Sequence, residues 1–100
     1  MPKIKFIANA VTWWDRSAGN TYNSVRITRT EDGANIVSPM QYGYGDAYRQ
    51  FALQAMAEAG WLPEKYRENP YLYERENEYP IYWTVRPGTK KECQSNGEEG

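Results

Sequence analysis

Tyr22, Ser24, Arg26 and Thr28 recur at every second position, so in an extended chain they share one face while Asn23, Val25 and Ile27 take the other. Ring, hydroxyl and guanidinium groups on one sheet surface can stack on a base and hold a phosphate. Tyr82, Thr84 and Arg86 repeat the pattern near the end of the chain, opposite Ile81, Trp83 and Val85. The same residues also suit a solvated sheet face with ordinary cross-strand pairs, and the spacing alone leaves both readings open.

Other groups have the right types for chemistry. In Trp13-Trp14-Asp15-Arg16 the two indoles fall on opposite faces of a strand, so one can enter the core. Trp14 beside Arg16 then reads either as a binding anchor or as packing for a helix end or the C-terminal segment. Gly43 and Gly45, in YGYG just ahead of a helix, resemble an anion cradle of free N–H groups. The phosphate-binding lysine and the P-loop spacing are missing. Glu74, Glu76 and Glu78 project to one side of an extended segment. They suit a hard cation or a surface salt-bridged with Lys65, Arg67 and Arg75, and no Asp or His completes a cage. Lys90, Lys91 and Cys93 lack a base or a second thiol and read as an exposed tail.

Histidine is absent, which removes the Ser-His and Cys-His nucleophile pairs and the usual zinc ligand sets. Acid–base work by a Glu pair would need a cleft and shifted pKa values. Nine Tyr, four Trp and two Phe instead favour surfaces that bind through large faces with polar handles. No catalytic residue, cofactor or metal site is therefore assigned.

The elements that would position these groups are legible. Gln41–Trp61 is the one strongly periodic stretch. Tyr48, Phe51, Ala52, Ala55, Met56 and Ala59 line one face of a helix over about 46–59, with Asp46 as N-cap and Gly60 just past its end. Before it, Lys3–Trp13 reads as a strand with Ile4, Phe6, Ala8 and Ala10 toward the core, and residues 14–20 as a loop. Thr21–Thr30 and Asn35–Tyr42 are strands joined through Asp32-Gly33, and Pro39 puts the second at an edge or bulge. After it, 62–69 suits a helical turn, 71–76 is ambiguous, and Tyr79–Arg86 is a fourth strand ended by Pro87-Gly88. The expected fold is α+β: a small, mainly antiparallel sheet of three to four strands in the order β-β-β-α-β, with one principal helix packed on one face. Residues 1–88 form one domain and 89–100 a polar tail.

A chain of 100 residues buries a modest fraction of its surface, which leaves room for a homo-oligomer. A net charge of −1 gives no general pull toward nucleic acid or an anionic membrane. No apolar run is long enough to span a bilayer, no signal-peptide pattern stands at the N-terminus, and the lone Cys93 suits a reducing cytoplasm.

The ordered motifs TYNSVRITR, QYGYGDAYRQFALQAM, GWLPEKY, YERENEYPIYWTV and KKECQSNG cover nearly the whole chain. In that order they resemble a family of small phage and prophage proteins. The resemblance implies a phage-encoded accessory protein of the host-cell cytoplasm and carries over no functional residue. Small phage proteins of this size often act by binding, some as sequesterers of nucleotide signals in counter-defence, others as caps on a host nuclease. The residues and the resemblance together lead to the expectation of a non-enzymatic binder of a nucleotide-like ligand. In it Arg26, Arg29 and Arg49 meet phosphate, and Trp14, Tyr22, Tyr42 or Tyr44 stack on a base beside Ser24. The Gly43–Gly45 backbone donates hydrogen bonds. The alternative is a protein–protein inhibitor of a host protein, anchored by exposed Trp and Tyr. Direct nucleic-acid binding is a third, charge-disfavoured class.

Overall fold

The computed structural model describes residues 3–98. Three strands come first: β1 (Phe6–Asp15), β2 (Asn20–Arg29) and β3 (Asn35–Tyr42). Helix α1 (Ala47–Glu58) follows, then a single 3-10 turn (Glu64–Tyr66) and the short α2 (Leu72–Glu76). Strand β4 (Ile81–Pro87) and helix α3 (Lys90–Asn96) complete the chain.

The four strands form one sheet in the order β3-β2-β1-β4. β1, β2 and β3 are an antiparallel meander, whereas β4 runs parallel to β1, Phe6 beside Ile81 and Ala10 beside Val85. The fold is thus α+β with a mixed, mainly antiparallel sheet. The crossover through α1 and α2 reverses the chain and allows the parallel pair, since adjacent parallel strands need a long connection. A register shift between Asn23 and Val25 marks a bulge in β3, where Pro39 and Met40 stand against the single residue Ser24, the place where a residue without an N–H is tolerated.

One sheet face carries Phe6, Ala8, Ala10, Val25, Ile27 and Ile81, all buried against Tyr48, Ala52, Leu53 and Met56 of α1 and against Tyr66 and Tyr73. The small residues of the strands let the helix lie close, and burial of these apolar groups is the main stabilising term. Five details differ from the sequence-based expectation. β1 runs on through Trp14 to Asp15 and β2 starts at Asn20, so the loop expected over 14–20 is confined to 16–19. Ile4 precedes β1 and is exposed. Leu53 is buried, while Phe51 and Ala55 are half-buried and Ala59 exposed, because the segment after α1 folds back and moves the buried stripe round the helix. Asp46 occupies the N-cap position but its side chain makes no capping hydrogen bond. The ambiguous stretch forms α2 (Leu72–Glu76), and the fourth strand, expected from Tyr79, begins at Ile81.

The second face is also covered in part. The segment from Thr89, expected to be a polar tail, is a capped helix. Thr89 Oγ1 accepts from the Glu92 N–H at 3.1 Å and Glu92 Oε1 accepts from the Thr89 N–H at 2.9 Å, a reciprocal capping box. This helix lies over β1, β2 and β3. It buries Val11 and Cys93. Ser24 Oγ donates to Cys93 O at 2.6 Å, and Asn96 Nδ2 donates to Asn9 O at 3.0 Å and to Ser24 O at 3.2 Å. Cys93 is therefore a buried thiol rather than an exposed one, and burial pushes its pKa up.

Candidate functional site

Two features stand at opposite ends of the sheet. The first is an aromatic ladder. The register sets Trp13 beside Tyr22 and Tyr22 beside Tyr42 on three adjacent strands. Trp13 stacks on Tyr22 with ring centroids 5.5 Å apart, Tyr22 meets Tyr42 edge-on at 6.0 Å, and Tyr42 meets Tyr44 edge-on at 5.2 Å. Lys90 Nζ lies 5.6 Å from the Trp13 ring centroid. Tyr42 and Tyr44 are 50% and 55% exposed, so the ladder offers free ring surface to a partner. Tyr22, Tyr42 and Tyr44 thus come together, with Trp13 as the fourth ring. Trp14 does not join them. It faces the opposite side of the sheet, 59% exposed, with the Arg16 guanidinium 5.9 Å from its ring centroid.

The arginines and glycines expected around a phosphate are dispersed. Arg26 donates to Glu98 O at 2.6 Å and to Ser95 O at 3.4 Å, so it ties the end of α3 to β2. Ser24 beside it is fully buried beneath that helix. Arg49 sits on the other face, its guanidinium 5.3 Å from the Trp83 centroid and 5.9 Å from that of Tyr48. Arg29 is at the far end of β2. Gly43 is no anion cradle. Its N–H donates to Thr21 O at 3.0 Å, its carbonyl accepts from Asn23 Nδ2 at 3.5 Å, and a Cβ there would lie 2.9 Å from the Phe51 ring. Gly45 adopts φ +57°, the left-handed turn into α1.

The second feature is a cleft at the opposite end, with a cavity of about 570 Å³. Lys3 and Lys5 come from the segment before β1 and Phe6 from its first position; Arg29 ends β2, and Thr30 and Glu31 follow in the turn. The turn after α1 supplies Gly60, Trp61 and Pro63, and α2 supplies Tyr73 and Asn77. Trp61 is fixed between two groups: the Phe6 ring stacks at 5.8 Å, and the Arg29 guanidinium lies 4.7 Å from the indole centroid. Arg29 is in turn held by Asp32 through two hydrogen bonds of 3.0 and 2.6 Å. That guanidinium and the Ala34 N–H hold the Asp32 carboxyl down to about 2. Lys3 and Lys5 form no ion pair among the described residues. A volume between about 300 and 1,000 Å³, a ring and a few convergent polar groups are what small-ligand sites present.

Of this cleft only Arg29 was among the sequence candidates. Its other residues lie in segments that run from Lys3 to Asn77, and no local pattern joins them. The three glutamates do not converge: Glu74 accepts from Trp83 Nε1 at 3.1 Å, and Glu76 accepts from Tyr66 OH at 2.9 Å. Glu78 has φ 59° in the turn before β4. Among the described residues no helix is long and apolar enough to cross a membrane.

Comparison of the chain with protein-family models, with curated proteins and with solved structures gives no match.

Proposed function

We propose that the protein acts by binding an anionic, ring-bearing ligand of nucleotide type in the Trp61 cleft. The observation that carries this reading is the convergence of Lys3, Lys5 and Arg29 with one indole around a single cavity. Arg29 is neutralised by Asp32, which leaves the two lysines to meet phosphate. With Trp61 held between Phe6 and Arg29, the outer face of the Arg29 guanidinium is the stacking surface for a base. Glu31 and Asn77 on the rim suit ribose or base edges. With histidine absent, sequestration fits these groups better than turnover. The resemblance to phage proteins supports a phage-encoded accessory, counter-defence role in the host-cell cytoplasm.

The test is titration calorimetry with a panel of cellular and cyclic nucleotides, on the parent and on a Lys3→Glu/Lys5→Glu variant. Both positions are exposed, so the fold tolerates the change. Reversal of the two charges is expected to weaken binding at least tenfold, about 1.4 kcal/mol, and Tyr42→Ala at the far end to leave it unchanged. Equal affinity in the charge-reversed variant removes the site assignment.

A second reading, a protein–protein inhibitor, is favoured by the aromatic ladder, since half-exposed Tyr rings beside a Trp resemble the centre of a protein interface. A host protein retained in stoichiometric amount by the parent, and released by Tyr42→Ala with Tyr44→Ala, supports it.

A further inference from the structure

The two edges of the sheet are treated differently. β3 is blunted by Pro39 and by the bulge that Pro39 and Met40 form within its length. β4 has prolines only at its ends, Pro80 before it and Pro87 as its last residue, and no charge points inward from it. Its side chains are open: Tyr82 is 58% exposed, Val85 51% exposed, and Thr84 and Arg86 are exposed. α3 covers β1, β2 and β3 instead.

The backbone of this edge is open as well. Pro80 O accepts from Phe6 N–H, and Gly88 N–H donates to Thr12 O, so even-numbered residues of β4 bond to β1. Alternation then turns the N–H and C=O groups of Ile81, Trp83 and Val85 outward. Among the described residues no hydrogen bond reaches Trp83 or Val85 from that side.

What would cover this edge is written in its own sequence. Laid antiparallel on itself about Thr84, the strand sets Tyr82 against Arg86, Trp83 against Val85, and Thr84 against Thr84. These are a cation–π pair, an aromatic–β-branched pair and a hydroxyl pair, each a favourable cross-strand combination. The outward groups fall into place too. Trp83 and Val85 exchange both hydrogen bonds on each side of the axis, and the Ile81 N–H meets the Pro87 carbonyl, so the N–H that proline lacks leaves one such bond per copy unmade. Thr84 falls at a non-hydrogen-bonded pair, where side chains approach most closely.

We propose that a second copy of this chain pairs with β4 across a two-fold axis at Thr84, joining the two sheets into one of eight strands. The interface is isologous and closes, so it gives a dimer and not a filament. It is independent of the ligand reading, because the Trp61 cleft and the aromatic ladder stay open on each copy.

The test uses the axis itself. Thr84→Lys and Thr84→Glu place like charges face to face at an exposed position and are expected to fold as the parent does. In sedimentation velocity the parent is expected to run as a dimer, and each variant alone as a monomer, with association weakened at least tenfold. The equimolar mixture is expected to return to a dimer containing one chain of each. A monomeric parent, like-charged variants that stay dimeric, or a mixture that stays monomeric overturns the proposal. Should a variant not fold, amide exchange of the parent decides. Protection of Trp83 and Val85 that grows with protein concentration supports the interface, and rapid, concentration-independent exchange overturns it.

Discussion

At Gly43 the chain has no room for a side chain. A Cβ would lie 2.9 Å from the Phe51 ring, 3.0 Å from the Ala47 methyl and 3.0 Å from Asn23 Nδ2. The glycine therefore sets how closely the end of β3 approaches α1. Asn23 pays part of that closeness: its side chain is buried, and its Oδ1 has no partner among the described residues. Gly43→Ala is expected to destabilise the protein by about 1–3 kcal/mol through overpacking, read as a lower urea midpoint with an unchanged m value. Were Gly43 a ligand cradle instead, the alanine would lower affinity and leave that midpoint in place. The arginines give the matching lesson. A guanidinium has five donors, and Arg26, Arg29 and Arg49 each use theirs on carbonyls, a carboxylate or rings of their own fold. Their residue type was legible, but a sequence does not separate an arginine that meets a ligand from one that ties down a helix.

Among the elements, β1 to β3 and α1 were readable because each carries its own period and its own turn. Alternation, Asp32-Gly33 and the 3.6-residue spacing are local signals. The parallel placement of β4 beside β1 was not readable, since neighbours in a sheet are chosen by the crossover and not by the strand's own pattern. Helix α3 was missed for a different reason. It has seven residues and buries one side chain fully, Cys93, so it shows no apolar stripe. Its signal was the capping box Thr89-Lys90-Lys91-Glu92. That box also makes the helix acid-sensitive. The Thr89 N–H, then the Arg86 guanidinium, hold Glu92 below the ordinary glutamate value of 4.5. A carboxyl with a depressed folded pKa contributes fully above its unfolded value and loses that contribution as pH falls through the folded one. Amide protection of Cys93 and Asn96 is thus expected to fall once the pH drops below 4.5. Thr89→Ala is expected to cost about 1 kcal/mol already at neutral pH. Acid-independent protection across α3 would show that its packing, and not the cap, holds it.

At the scale of the whole molecule, the sheet is a layer that needs cover on both sides. α1 closes one face, and among the described residues α3 shields the centre of the other, where Val11 and Ser24 lie buried. Gly97 shows how tight that seam is, since a Cβ on it would come within 2.9 Å of the backbone of Pro39 and Met40. A chain ended after Gly88 loses the hydrogen bonds from Ser24 to Cys93 and from Asn96 to β1 and β2. It also leaves Val11 in water and Arg26 without the carbonyls it holds. At about 1 kcal/mol for each lost hydrogen bond, plus the lost apolar burial, the shortened chain is expected to be less stable by roughly 3 kcal/mol or more. The same seam can be read in the intact protein through its thiol. Cys93 is fully buried and its pKa is raised, so a disulfide reagent reaches it only when α3 lifts off. Labelling in native buffer is expected to be slow, to quicken in Thr89→Ala, and to quicken further in Gly97→Ala. If the shortened chain matches the full one in stability while Cys93 labels at the rate of a free thiol, residues from Thr89 onward are a tail after all. Slow labelling together with the loss of stability makes α3 an integral layer of the fold.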